Sequence, residues 1–393
     1  AQNYVGGFVG SAGAGSLVEA GGLNLLGLGL LKVNNLLSVA DGIRTNFTEC
    51  HVNGISTGLN ISSTGQKTTA NYYAGGFIGE NSASDIENSS VNNLRSVSTS
   101  ILNMNWTDDV MITGYAGGFA ARSQVGGLAS VGDADTINGL LGDVININNL
   151  LNVIRYLIPT YTNCYVSFVE NESGAQVQSA IAGGFIGEMM GGTVDNSALE
   201  SEYAVRNLDR VEGTYYAGGF AGKIISGGLA SSDSLSVLGT NISFNDLLSV
   251  VDVYIPKIKH AGVFSDGLRV SATTTDPLDA DSGAAGGYAG LVRGAQIENS
   301  NVNQLATKQS VKERAISDSD YAIVAPTYAG GYAGKVDIGS AAAVGQGLNL
   351  LNLVQINNLL SAIDAVASEI EACDVYGAVG GFNVLAIQGL AGG

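Results

Sequence analysis

The sequence predicts a mainly β fold: a right-handed parallel β-solenoid of four super-repeats of about 105 residues, each with a short amphipathic helix packed on or beside it. Three observations carry this reading. A Gly-Gly-aromatic signature recurs along the 393 residues, with aromatics at Phe8, Phe77, Phe119, Phe185, Phe220, Tyr288, Tyr332 and Phe382. Its spacing alternates. Phe8, Phe119, Phe220 and Tyr332 follow one another at 111, 101 and 112 residues, and Phe77, Phe185, Tyr288 and Phe382 at 108, 103 and 94. The composition is rich in glycine (56) and poor in proline (4) and charge (13%), as expected of strands that face a core, turn on glycine and need their amide hydrogens.

Length alone would suggest about two or three domains. The repeat instead makes residues 1–393 one continuous solenoid, with super-repeats near 1–110, 111–212, 213–324 and 325–393, the last one truncated. Each super-repeat has a long and a short half. The short halves read GGFIGENSASDIENSSV from Gly75, GGFIGEMMGGTVDNSAL from Gly183 and GGYAGLVRGAQIENSNV from Gly286. They align Ile86, Val194 and Ile297, then Asn88, Asn196 and Asn299, then Val91, Leu199 and Val302. Apolar residues among small polar ones suit half-buried strands, and such a unit has too little apolar surface to fold without neighbours above and below. The Gly pairs serve corners, by positive φ and by close backbone approach. The aromatic after each pair faces the core, and the matched asparagines occupy turns, where Asn tolerates the left-handed region.

The short halves resemble the GLUG-type repeats of bacterial surface proteins, in which a Gly-rich turn leads into a strand carrying an Asn-Ser pair. The resemblance implies a parallel β-solenoid on a bacterial cell surface.

The long halves carry LKVNNLLSVADGI from Leu31, ININNLLNVIRYL from Ile145, ISFNDLLSVVDVYI from Ile242 and VQINNLLSAIDAVASEI from Val354. Each reads as a strand end, an Asn helix cap (Asn34, Asn148, Asn245 or Asn357) and apolar residues at helical spacing, such as Leu359, Leu360, Ile363 and Val366, although in the third copy Val251, Val253 and Ile255 also alternate like a strand. Cys50, Cys164 and Cys373 each lie 16 residues beyond such a cap, and the same step from Asn245 reaches Ala261. We read this as one small buried position. If a super-repeat stacks four or five strands at about 4.8 Å, these cysteines stand roughly 15–25 Å apart and stay unpaired.

The chemistry-bearing residues are few. His51 and His260 are the two histidines, with no GxSxG elbow beside them, so no catalytic residue is assigned. No Walker lysine accompanies the Gly-rich strings, and no cofactor is expected. Acidic loops at Asp133 and Asp135, and at Asp276, Asp279 and Asp281, are weak candidates for a hard cation; they read first as solvated loops, and no metal is assigned. The net charge of −18 argues against nucleic acid and anionic lipid. The most apolar stretch, from Gly21, is interrupted by Asn24, Lys32, Asn34 and Asn35, so no membrane insertion is expected. The chain opens AQNYVGGFVG without Met or a basic leader and reads as a mature product or an excised segment.

These features lead us to expect a non-enzymatic extracellular structural protein, at a bacterial cell surface or in a secreted filament. A rigid repeat rod would serve as adhesin stalk, surface spacer or filament subunit. Its partners would be further copies stacked end to end or a covalent continuation into a longer repeat protein, and the residues name no host or cell-surface ligand. The alternative is a carbohydrate-active β-helix enzyme, a polysaccharide lyase or glycoside hydrolase with carboxylates paired in a groove. Ice binding by a threonine array lacks the regular TxT ladder it needs.

Overall fold

The structure, a computed structural model, describes residues 3–13, 44–64, 71–99, 106–107, 110–111, 113–126, 157–170, 174–199, 201–226, 252–306, 321–339, 367–377 and 381–392. It is mainly β, with parallel sheets. The named strands pair in parallel, apart from the short antiparallel pair Trp106–Thr107 and Val110–Met111.

The parallel strands fall into five ladders that the chain visits in the same order turn after turn. In the first ladder, Asn3–Gly6, Tyr72–Gly75 and Gly114–Gly117 pair in sequence, and the ladder continues through Ala182, Ala217, Ala285 and Ala329 to Leu390–Gly392. The second runs from Val9–Gly13 to Ala333–Asp337 and the third from Asn46–Thr48 to Glu369–Glu371, each a sheet of seven strands. The fourth and fifth ladders join the first in one 18-stranded sheet, because long strands such as Ser90–Thr99 and Gly262–Ala272 bend from one ladder into the next.

One turn of chain therefore carries one Gly-Gly corner, and a super-repeat comprises two turns. This corrects the expectation of four or five strands stacked per super-repeat. The expectation failed because a single turn already spends five strands and alternate turns carry long additions. In the even turns two residues separate the second- and third-ladder strands, as between Ile78–Ser82 and Asp85–Glu87. In the odd turns that interval holds 14–43, 127–156, 227–251 and 340–366, which lie outside the described residues.

The expected helices and their caps Asn34, Asn148, Asn245 and Asn357 fall in those stretches, outside the described residues. Of their described ends, Asp252 and Val253 in the third copy are helical, too short a piece to show an amphipathic face, and the fourth copy ends differently. Ser368 to Ile370 does not extend one: Glu369–Glu371 is a strand paired with Gln296–Glu298, because Ile370 continues the inward column of Ile297.

The core is a continuous filling of the space between ladders. Ile86, Tyr161, Val194, Ile258 and Ile297 form one inward column of the third ladder, all fully buried. Between the third and fourth ladders the chain bends at one residue in the left-handed region: Glu49, Asn88, Asn163, His260, Asn299 and Ala372 all have φ near 50–55°. Asn88 and Asn299 thus hold the turn positions read from the sequence. Asn196 also opens a turn, its carbonyl accepting from the Leu199 amide at 3.0 Å, but without the left-handed φ, in a longer corner. The fourth-ladder column is Val91, Val166, Val205, Val263 and Val302, so the residue equivalent to Val91 is Val205 and not Leu199.

Candidate functional site

The Gly-Gly corners build the most regular feature of the molecule. A Cβ on Gly76 would lie 1.7 Å from the carbonyl oxygen of Gly118 in the next turn, and one on Gly75 would lie 1.8 Å from that of Ile78. The corner glycines permit this approach of backbone to backbone. None of the described corner pairs has φ in the left-handed range, so close approach, not positive φ, is the requirement. With the corners in register, the following ring of each turn lies on the ring of the last. Phe8, Phe77, Phe119, Phe185, Phe220, Tyr288 and Tyr332 form one stack with centroids 4.8–5.3 Å apart and planes within 14° of parallel. The two tyrosines reach polar partners within the core: Tyr288 Oη donates to the carbonyl of Ala261 at 3.2 Å and Tyr332 Oη to that of Ser300 at 3.0 Å.

Phe382 stands outside this column. The first-ladder position of the eighth turn belongs to Leu390, Ala391 and Gly392, paired with Tyr328, Ala329 and Gly330. Gly381 has φ of 85°, and nothing lies within 4 Å of the place its Cβ would take, unlike the corner glycines. Phe382 therefore does not follow a first-ladder corner. This accounts for the short spacing of 94 residues.

Beside the corners, on the outer side, runs a row of tyrosines and charges. Tyr4 stacks on Tyr73 at 4.8 Å and Tyr73 on Tyr115 at 5.2 Å. In the second ladder the adjoining column reads Glu80, Arg122, Glu188, Lys223 in consecutive turns, an alternation of sign at each step. Arg122 Nε donates to Glu188 Oε2 at 3.0 Å and its Nη1 lies 3.8 Å from Glu80; Lys223 lies 3.7 Å from Glu188. Arg122 and Lys223 also sit over the rings of Tyr115 and Tyr216. Burial raises the carboxyl of Glu80 above its ordinary value against the pull of Arg122.

The acidic loop of 276–281 adjoins this row. Asp279 accepts from Tyr216 Oη at 2.6 Å and lies 3.9 Å from Lys223. Asp281 pairs with both Arg293 and Lys335. Burial pushes its carboxyl up, but these two cations hold it below the usual value. Asp276 Oδ1 accepts from the amide of Leu278 at 3.0 Å. The three carboxylates are thus engaged separately with basic groups, a phenol and backbone amides. No group of three metal-ligating side chains occurs among the described residues, and Asp133 and Asp135 lie outside them.

Cys50, Cys164 and Cys373 share one corner, after the third ladder, in turns one, three and seven, with Ala261 in the fifth. All three are free thiols. Two turns separate Cys50 from Cys164, about 10 Å at the strand spacing, closer than the 15–25 Å expected and still too far for a disulfide. His51 is exposed and bonds Ser90 Oγ at 2.9 Å, whereas His260 occupies a left-handed corner.

The two ends of the stack differ from its middle. Phe8, in the first turn, is 48% exposed, whereas Phe119 is fully buried. At the other end an open cavity of about 780 Å³ is lined by Tyr332, Ile370, Cys373, Val375, Phe382 and Leu390, among others. Val336, Ile338, Ile370 and Leu390 are exposed there. The sequence could not separate these end positions from central ones, since the same letters occupy both.

Comparison with known proteins adds one finding. The family described as the GLUG motif matches residues 70–98, which hold the Gly-Gly corner of Phe77 and the strands through Ser98. The GLUG-type repeat is therefore present in this chain. No curated protein and no solved structure matches it.

Proposed function

We propose that the chain is a right-handed parallel β-solenoid acting as a non-enzymatic structural rod, whose open ends accept a further turn from another copy or from more of the same repeats. The single observation that carries this reading is the unbroken seven-ring stack with an exposed ring at one end and an apolar cavity at the other. At the ends, edge strands offer free amides and carbonyls beside apolar surface, which is what strand addition uses. Along the second ladder the carboxylates of Glu80 and Glu188 are paired with Arg122 and Lys223, which favours a scaffold over paired carboxylates facing a substrate. Placement outside the cell, as an adhesin stalk, spacer or filament subunit of a bacterium, follows from the resemblance to GLUG-type surface proteins and is part of the proposal.

The register adds a condition. Seamless stacking of two copies brings Asn3–Gly6 of one to the place that Leu390–Gly392 of the other holds, since Leu390–Gly392 lies on Tyr328–Gly330 in the first ladder while Val9–Gly13 and Ala333–Asp337 are the two end strands of the second. Exchange of one strand for the other is the step that joins copies. Electron microscopy at rising concentration tests the proposal. We expect rods growing in steps of about 34 Å, seven turns at about 4.8 Å, and longer rods from a chain ending at Ile387. Monodisperse particles of both chains at high concentration would argue against self-assembly.

A further inference from the structure

The side of the stack carries a cleft of about 470 Å³ where the fourth ladder turns into the fifth. Four turns contribute: Ser56 from the first, Asn92 from the second, Tyr165, Ser167 and Glu170 from the third, and Arg206 and Asn207 from the fourth. Arg206 is the telling group. It is half-buried, its guanidinium lies 4.3 Å from the Tyr165 ring centroid, and its Nε donates to the carbonyl of Tyr203 at 3.3 Å. No ion pair among the described residues includes it, in a chain with 35 acidic and 17 basic residues. Burial lowers its pKa, as it does for a cation without a carboxylate partner. The stacked ring fixes the plane of the guanidinium, and Nη1 and Nη2, the two donors that take a carboxylate bidentately, have no bonded partner among the described residues.

The rest of the lining selects among acidic ligands. Amides of Asn92 and Asn207 and the hydroxyl of Ser167 both donate and accept, as the hydroxyls of a sugar do. Asn207 Nδ2 reaches Glu170 Oε1 at 3.4 Å, so one carboxylate stands at the rim as an acceptor for sugar hydroxyls and not as a partner of Arg206. We propose that this cleft binds an acidic saccharide, a uronic acid unit whose carboxylate lies on Arg206 and whose hydroxyls meet Asn92, Ser167 and Asn207. The site is on the side of the stack, so it is independent of the assembly of copies through the ends.

Binding of D-glucuronic acid to the full chain, followed by NMR at low salt, tests the inference. D-glucose serves as the neutral control and a tetraglutamate peptide as the other acidic class. We expect saturable binding of glucuronic acid, at least tenfold weaker binding of glucose and of tetraglutamate, and at least tenfold loss in R206Q. N207G keeps the backbone at φ of 60° accessible while removing one amide, and should weaken binding several-fold with an unchanged melting temperature. Equal binding of glucose, tighter binding of tetraglutamate, no saturation, or full binding in either folded variant would overturn the proposal.

Discussion

Asn196 holds both backbone groups of Cys164 across one corner of the stack: its Oδ1 accepts from the Cys164 amide at 2.9 Å and its Nδ2 donates to the Cys164 carbonyl at 2.9 Å. Both residues are buried, so no solvent replaces the pair. Asn196→Ala should cost about 2 kcal/mol or more, since two buried backbone groups lose their partner. Burial also pushes the Cys164 thiol up to about 12, so it should react slowly with a thiol reagent at pH 8 while Cys50 and Cys373 react readily. Thiol counting by mass spectrometry with and without Asn196→Ala checks both statements, with faster labelling of Cys164 expected in the variant.

Corner glycines should tolerate no side chain. Gly76→Ala places a Cβ 1.7 Å from the Gly118 carbonyl oxygen, and the turns must separate to admit it. A loss of roughly 3 kcal/mol or more is expected, in the range of backbone clashes and overpacking. Gly392→Ala meets nothing within 4 Å and should leave the denaturation midpoint unchanged.

The ring column predicts an order of sensitivity. Phe119 is sandwiched between Phe77 and Phe185 at 4.9 Å each and touches Tyr161 edge-on. Its replacement by Ala should cost about 3–5 kcal/mol. Phe382→Ala, outside the column and partly exposed, should cost less than half as much. Urea denaturation of the two variants decides the order, and equal costs would restore Phe382 to the column.

Acid should separate two carboxylates by sign. The Asp281 carboxyl is depressed when folded, so its contribution is complete above its ordinary pKa of 3.8 and is lost as pH falls through the folded value. The melting temperature of Asp281→Asn should thus lie below that of the unmodified chain at pH 5 and approach it towards pH 2. Glu80 is raised when folded, so stability attributable to it falls as pH rises from 4.5 through the folded value. Glu80→Gln escapes that loss and should gain relative to the unmodified chain over the same interval. Calorimetric melting across pH 2–7 reads both trends.

The corner column was legible in sequence because its constraint is local: two residues without Cβ followed by a ring leave a fixed string of letters. What misled was position along the axis. Gly380, Gly381 and Phe382 spell the string, but the chain length before them sets the register, and that gives the place to Leu390 and its neighbours. Leu199 aligns with Val91 in letters alone, since a longer corner moves the inward position to Val205. The number of strands per turn leaves no local mark, so the letters do not show that a super-repeat stacks two turns and not four or five. The alternation of Glu80, Arg122, Glu188 and Lys223, and the meeting of Tyr165 with Arg206, join residues from different turns. No spacing along the chain announces either one until the register is known.

The most direct test of the rod lies in a cross-link between its two ends. Ser11 and Lys335 occupy the first and seventh places of one outward column in the second ladder, so stacked copies bring Ser11 of one beside Lys335 of the next. A chain carrying Ser11→Cys and Lys335→Cys, with Cys50, Cys164 and Cys373 replaced by Ala, should give a ladder of disulfide-linked multimers on a non-reducing gel after mild oxidation. Each single-cysteine chain should stop at dimers. Monomer alone from the double variant, at concentrations where it remains folded, would contradict the end-to-end account.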